Sequence, residues 1–227
     1  MSAAGGRPLL SALAAASLAG VVALGAPAAR AAPRRYVLDP GASRLVIHVG
    51  KAGLFGFAGH EHEVVAGTFH GSATFDPERL AQSSQPAVDV TFDAGALRVS
   101  GQGEPAADVP QVQAAMVGAD CLDTRRFPTV RFVATSVAPA GGVGAGMGPA
   151  LGPSGGDLSL RGELTLHGVT RPLTLRVHLE VKGDTLEATG RTTLRQTDFG
   201  ITPISKAGVV KVKDEIALEW RVRGVAR

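Results

Sequence analysis

From Tyr36 onward the chain alternates between apolar and polar residues with a period of two. Leu45, Ile47 and Val49 alternate with Val46 and His48, and Val88, Val90 and Phe92 with Asp89 and Thr91. Leu158, Leu160, Leu164 and Leu166 oppose Ser159, Arg161, Glu163 and Thr165. Leu173 to Val181, Leu186 to Leu194 and Ile216 to Val222 repeat the pattern. A period of two places one dry and one wet face on each strand. Parallel sheets bury both faces, so these strands belong to an antiparallel sheet. His167–Pro172 and Lys182–Asp184 separate alternating runs and read as hairpin turns. Serial hairpins make a meander. A meander of about eight strands closes into a barrel and so removes its open edges.

Two stretches depart from the alternation. Val112, Ala115 and Met116 follow Asp108 at helical spacing, which predicts one short helix over Pro110–Gly118 with Asp108 as its N-cap. Ala138–Gly156 is a Gly/Pro/Ala-rich stretch with too little apolar bulk for a core, and reads as a flexible loop inserted in a hairpin. The run from Val64 to Asp76 reads as one strand with Val65, Gly67, Phe69, Gly71, Ala73 and Phe75 on one face. Its small residues fit two readings, room for a ligand inside the barrel or tight coiling of the strand.

The N-terminus carries a different signal. Arg7 precedes an uncharged apolar run from Leu9 to Gly25, and Ala29-Arg30-Ala31 has the small-x-small form that a signal peptidase cuts. Residues 1–31 therefore read as a cleavable signal peptide and 32–227 as one barrel domain, with no membrane span left after processing. The leader has no Cys for a lipid anchor and no paired arginines. It holds two of the 23 Lys and Arg residues, so 21 bases remain against 20 acids. A near-neutral chain without runs of Lys and Arg, and with few aromatic residues, points away from nucleic acid. Cys121, the single cysteine, excludes an internal disulfide and reads as a small buried hydrophobe.

Four stretches, in order, resemble the YceI family. They are Gly67–Asp76 (GTFHGSATFD), Phe127–Phe132 (FPTVRF), Leu164–Leu175 (LTLHGVTRPLTL) and Asp198–Ile201 with Val212–Ile216. The resemblance runs from about Tyr36 to Val222. It implies a closed, lipocalin-like antiparallel barrel in the periplasm, extended around a long apolar ligand such as a polyisoprenoid, a quinone or a fatty-acyl lipid. Burial of each CH₂ gains roughly 0.8 kcal/mol, so a dry tunnel holds such a chain without any catalytic group or cofactor. The sequence departs from the family pattern twice. Val112–Asp123 lacks the expected histidine, and Gly59-His60-Glu61-His62-Glu63 is richer in histidine, which suggests a His-x-His branch.

The ligand-binding candidates are Phe55, Phe57, His60, His62, Val65, Phe69 and Phe75. His60 and His62 would share one face of a strand and invite three readings: hydrogen bonding at the barrel mouth, contact with a ligand head group, or a metal site. A metal needs at least a third ligand, for which His48 and His70 are the candidates. Arg125-Arg126 could meet a phosphate or lie in a solvated turn. No nucleophile elbow, paired-carboxylate motif or phosphate loop is present, so the chain reads as a binding protein rather than an enzyme. If it self-associates, a two-fold homodimer is the default.

Overall fold

A computed structural model describes residues 32–52, 62–66, 68–76, 87–103, 105–140, 155–206 and 210–227. Among them the strands are β1 (Arg34–Leu38), β2 (Arg44–Ala52), β3 (His62–Val65), β4 (Phe69–Phe75), β5 (Ala87–Asp93), β6 (Arg98–Val99), β7 (Thr129–Pro139), β8 (Gly155–Leu166), β9 (Val169–Lys182), β10 (Thr185–Arg195), β11 (Ser205–Lys206) and β12 (Val210–Ala226). Among the described residues the one α-helix, α1, spans Val109–Val117.

Every pairing is antiparallel. The first six strands work in pairs. β1 and β2 both lie along β12, β4 pairs with β1 as β3 pairs with β2, and β5 pairs with β4 as β6 pairs with β3. Each pair is thus one kinked strand position. The result is an eight-position up-and-down meander that closes where Tyr36 of β1 meets Ala226 of β12. The barrel of about eight strands with one short helix is the architecture the alternation predicts.

The kinks fall at 39–43, between Val65 and Phe69, and at 94–97, and each changes which parity of residue faces inward. Tyr36 and Leu38 are buried on β1, whereas on β2 it is the odd-numbered Leu45 that lines the interior. Val64 is buried on β3, but Phe69, Ala73 and Phe75 are on β4. A slip of one residue moves a whole set of side chains to the other face. The unbroken strand expected over Val64–Asp76 is therefore wrong, and so is the shared face of Val65 and Phe69. A bulge between Ala134 and Ser136 does the same in β7, so that Phe132 and Val137 both face inward.

The β8–β9 turn is tighter than the sequence suggests. It is His167-Gly168 alone, with φ of 51° and 74°. Two successive positive φ values suit a two-residue hairpin turn that follows the twist of its strands. Thr170, Arg171 and Pro172 belong to β9. Pro172 is tolerated because the β9–β10 ladder ends at Arg176 and Arg191, leaving that edge of β9 without a β10 partner. The helix begins close to its expected place, but the Asp108 side chain makes no cap hydrogen bond. Its backbone carbonyl accepts from Val112 instead. Of the expected loop, Ala138 and Pro139 extend β7, Gly155 and Gly156 open β8, and 141–154 lie outside the described residues.

Candidate functional site: an apolar cavity in the barrel

Positions from nine strands, β1, β2, β4, β5, β7, β8, β9, β10 and β12, line a cavity of about 200 Å³. Its wall includes Leu38, Phe69, Phe75, Phe92, Phe132, Leu160, Leu175, Ala188 and Trp220. Among the described residues, Ser72 and Thr192 are the only hydroxyl-bearing ones along it. No charged residue among those described lines it, so this wall offers dispersion contact and no counter-charge.

Two packed clusters supply parts of this wall. One gathers Tyr36, Ala73, Phe75, Leu158, Leu179, Val181 and Leu186. Within it the Tyr36 ring stacks on Phe75 at 5.1 Å between centroids. Tyr36 has no exposed surface, and its hydroxyl has no hydrogen-bond partner among the described residues. The second cluster joins Leu164 and Leu194 to Val130, Phe199 and Ile201, with Leu122 and Cys121 against it. Burial raises the Cys121 thiol pKa, in keeping with its reading as a small hydrophobe.

Three of the motif stretches meet beside the second cluster. Phe127 packs edge-on against His167 at 4.5 Å. A Cβ on Gly168 would collide with the Phe127 ring. His167 Nδ1 lies 3.2 Å from the Phe199 carbonyl, and Arg171 Nε donates to the Asp198 carbonyl at 3.0 Å. These residues tie the Gln196–Phe199 turn against the edge of β9 that β10 has left. Their role here is to hold the fold together; none of them lines the cavity.

The small residues of β4 divide between the two readings: Ala73 lines the cavity, Gly71 serves close strand approach, and Gly67 lies outside the described residues. A Cβ on Gly71 would collide with the Asp89 carbonyl of β5, so Gly71 permits close strand approach. Gly162 and Gly190, which the alternation does not single out, sit under the rings of Phe132 and Trp220. At these three positions the missing side chain is replaced by protein.

Phe69 and Phe75 stand in the cavity wall. Val65 does not: it faces outward beside Val46, while Val64 packs against Leu97 and Val99. Phe55, Phe57 and His60 lie outside the described residues. His62 is half-buried opposite Val49. His48 is opposite Glu63, one residue along, and so belongs to the other face. His70 neighbours buried Phe69 and is exposed. The register therefore separates His62 from both of the third ligands the sequence offered. No group of three His, Cys, Asp or Glu among the described residues could hold a metal ion. Arg126 belongs to a turn, 3.4 Å from Asp123 and over the Phe127 ring at 5.1 Å.

The barrel's likeness to known proteins follows its architecture. The family model for the YceI-like domain matches residues 36–223. A UPF0312 protein of Shewanella oneidensis is 32% identical over 116 residues, which is 48% of this chain and 52% of that protein. A UPF0312 protein of Shewanella denitrificans is 32% identical over 106 residues, 44% of this chain and 49% of that one. The chain thus spans about half the length of these curated relatives. Among solved structures, BcnA of Burkholderia cenocepacia superposes with a TM-score of 0.61 at 19% identity, over 82% of this chain and 98% of that one. A polyisoprenoid binding domain from Saccharophagus degradans gives 0.58 at 12% identity, over 85% and 98%. With the family model covering nearly the whole barrel, the chain belongs to the YceI-like domain family.

Proposed function

We propose that this barrel binds and carries a long apolar ligand, a polyisoprenoid, a quinone or a fatty-acyl lipid, in the cavity between its two core clusters. One observation carries the reading: a closed barrel keeps an internal cavity whose wall, among the described residues, is almost wholly apolar and carries no charged residue. Such a wall rewards burial of hydrocarbon, and the lining residues Ser72 and Thr192 have no His, Asp, Glu or Lys beside them in the wall to act as a general base. The apolar character of the wall supports a binding role. The cavity volume of about 200 Å³ is below the roughly 300–1,000 Å³ of pockets that surround compact drug-sized ligands. A flexible chain with part of its length inside suits it better than a fused ring system. The similarity to a polyisoprenoid binding domain supports the same class of ligand. Export to the periplasm through residues 1–31 completes the proposal, since a carrier of insoluble lipid works in an aqueous space beside a membrane.

Organic extraction and native mass spectrometry of the purified protein test the reading. A defined lipid mass should accompany the protein. Ala188→Trp, which fills the cavity from β10, should lower the occupied fraction at least tenfold while leaving the β-sheet spectrum unchanged. Equal occupancy in this variant would place the lipid elsewhere and overturn the assignment.

A further inference from the structure

The strand register assembles a charge cluster that the linear sequence hides. On the outer face Arg176 of β9 stands directly opposite Arg191 of β10. Two strands away Arg44 of β2 stands directly opposite Arg221 of β12. All four are exposed and border one shallow depression of about 700 Å³, with Val46, Thr189 and His178 among its other borders. Like charges directly opposite each other weaken a sheet, so both pairs oppose stability.

The acids nearby offset only part of this charge. Glu187 lies 3.5 Å from Arg221 and 2.9 Å from Arg223. Glu63 approaches Arg44 at 3.9 Å, and Asp157 is taken by His178 at 2.7 Å. Glu219 is cross-strand from Arg191 but makes no ion pair with it, and among the described residues Arg176 and Arg191 have no acid within 4.0 Å. Four neighbouring strands at about 4.8 Å spacing spread these guanidinium groups over roughly 15 Å. That span exceeds one phosphate and matches an array of them.

We infer that this outer face of β2, β12, β10 and β9 docks the barrel on an anionic lipid surface through phosphodiester head groups. Charge complementarity selects an anionic partner. A bilayer is favoured over nucleic acid because, among the described residues, no Phe, Tyr or Trp stands outward in the depression as a stacking platform for bases; its Trp220 points into the barrel, and the His178 ring is engaged by Asp157. The choice of lipid also rests on the proposed cargo, which must leave and enter membranes.

Vesicle flotation tests the inference, using residues 32–227, which carry every described strand of the barrel. Phosphatidylcholine vesicles with phosphatidylglycerol should bind the protein, and vesicles of phosphatidylcholine alone should not. Arg176→Gln with Arg191→Gln should weaken binding roughly tenfold or more, since each basic residue near an anionic surface contributes substantially. Arg34→Gln with Arg125→Gln removes the same charge outside the depression and should change binding far less. Equal binding by the two double variants, equal binding to both vesicle types, or displacement of the vesicles by duplex DNA would overturn the inference. Cargo occupancy measured on the same samples separates the two proposals. Lost docking with retained cargo supports the surface, whereas absent cargo with intact docking refutes the carrier reading alone.

Discussion

The indole of Trp220 lies across the ladder from Gly190, in the space that a side chain at 190 would need. A Cβ there would collide with the indole and with the Arg176 carbonyl of β9. Gly190→Ala must therefore displace either the ring or the strand, at a cost of about 1–3 kcal/mol. A lower thermal midpoint with altered tryptophan emission is expected. Unchanged values for both would show that the ring moves freely.

Trp220 is the chain's single tryptophan and stands in the cavity wall, so its fluorescence reports on the cavity directly. Titration with a prenyl quinone should quench it saturably. The response should be lost in Ala188→Trp once that variant's added emission is subtracted. A response that persists there would mean that the quinone acts from outside the barrel.

Tyr36 supplies a second stability test. A buried hydroxyl without a partner costs about 1–3 kcal/mol. Tyr36→Phe keeps the ring stacked on Phe75 and removes that cost. The ligand-free thermal midpoint should rise, by about 2–4 °C for each kcal/mol gained. A fall instead would show that an ordered water satisfies the hydroxyl.

Two exposed ion pairs set opposite pH trends. Arg131 donates to both carboxylate oxygens of Asp89, and this hydrogen bonding holds the Asp89 pKa below the usual range. Its contribution is present above about pH 4 and is lost as pH falls through the depressed value. Asp89→Asn should cost less than about 1 kcal/mol at neutral pH, because the pair is half-exposed, and nothing in strong acid. The hydrogen bond to Asp157, helped by Glu180, raises the His178 pKa. That contribution is present below about pH 6.5 and disappears as pH rises through the raised value. His178→Gln should therefore destabilise mildly in acid and not at all in alkali. Denaturant midpoints measured across pH check both trends.

The register also bears on metal binding. Because His48 and His70 do not share the face of His62, replacing both with Ala should leave any zinc affinity unchanged. Calorimetric titration of zinc into the double variant checks this, and a marked loss of affinity would contradict the strand pairing.

Much of the barrel was legible because inward and outward residues alternate without interruption from β8 to β10. The helix was legible from Val112, Ala115 and Met116. Parity across the kinks was not. Nothing in Ala66-Gly67-Thr68 says how many residues the bend consumes, and that count decides whether Val64 or Val65 is buried. The cavity wall was foreseen at Phe69 and Phe75, which follow the kink, and missed at Trp220 and Ala188, whose side chains look like ordinary core. The arginine cluster was invisible for a related reason. Its members lie far apart in sequence, and only the pairing of β9 with β10 and of β12 with β2 brings them together.

Tyr36 meets Ala226 at the seam of the barrel, so closure joins positions nearly as distant in sequence as the barrel contains. Contacts of this kind must pay the entropy of the whole intervening chain before they return any stabilisation. Refolding should accordingly be slow, on the order of milliseconds to seconds for such topologies. Until β12 arrives, β1 and β2 keep an unpaired edge. The last ladder to form is therefore the step at which the folding chain is most exposed to pairing with another copy of itself.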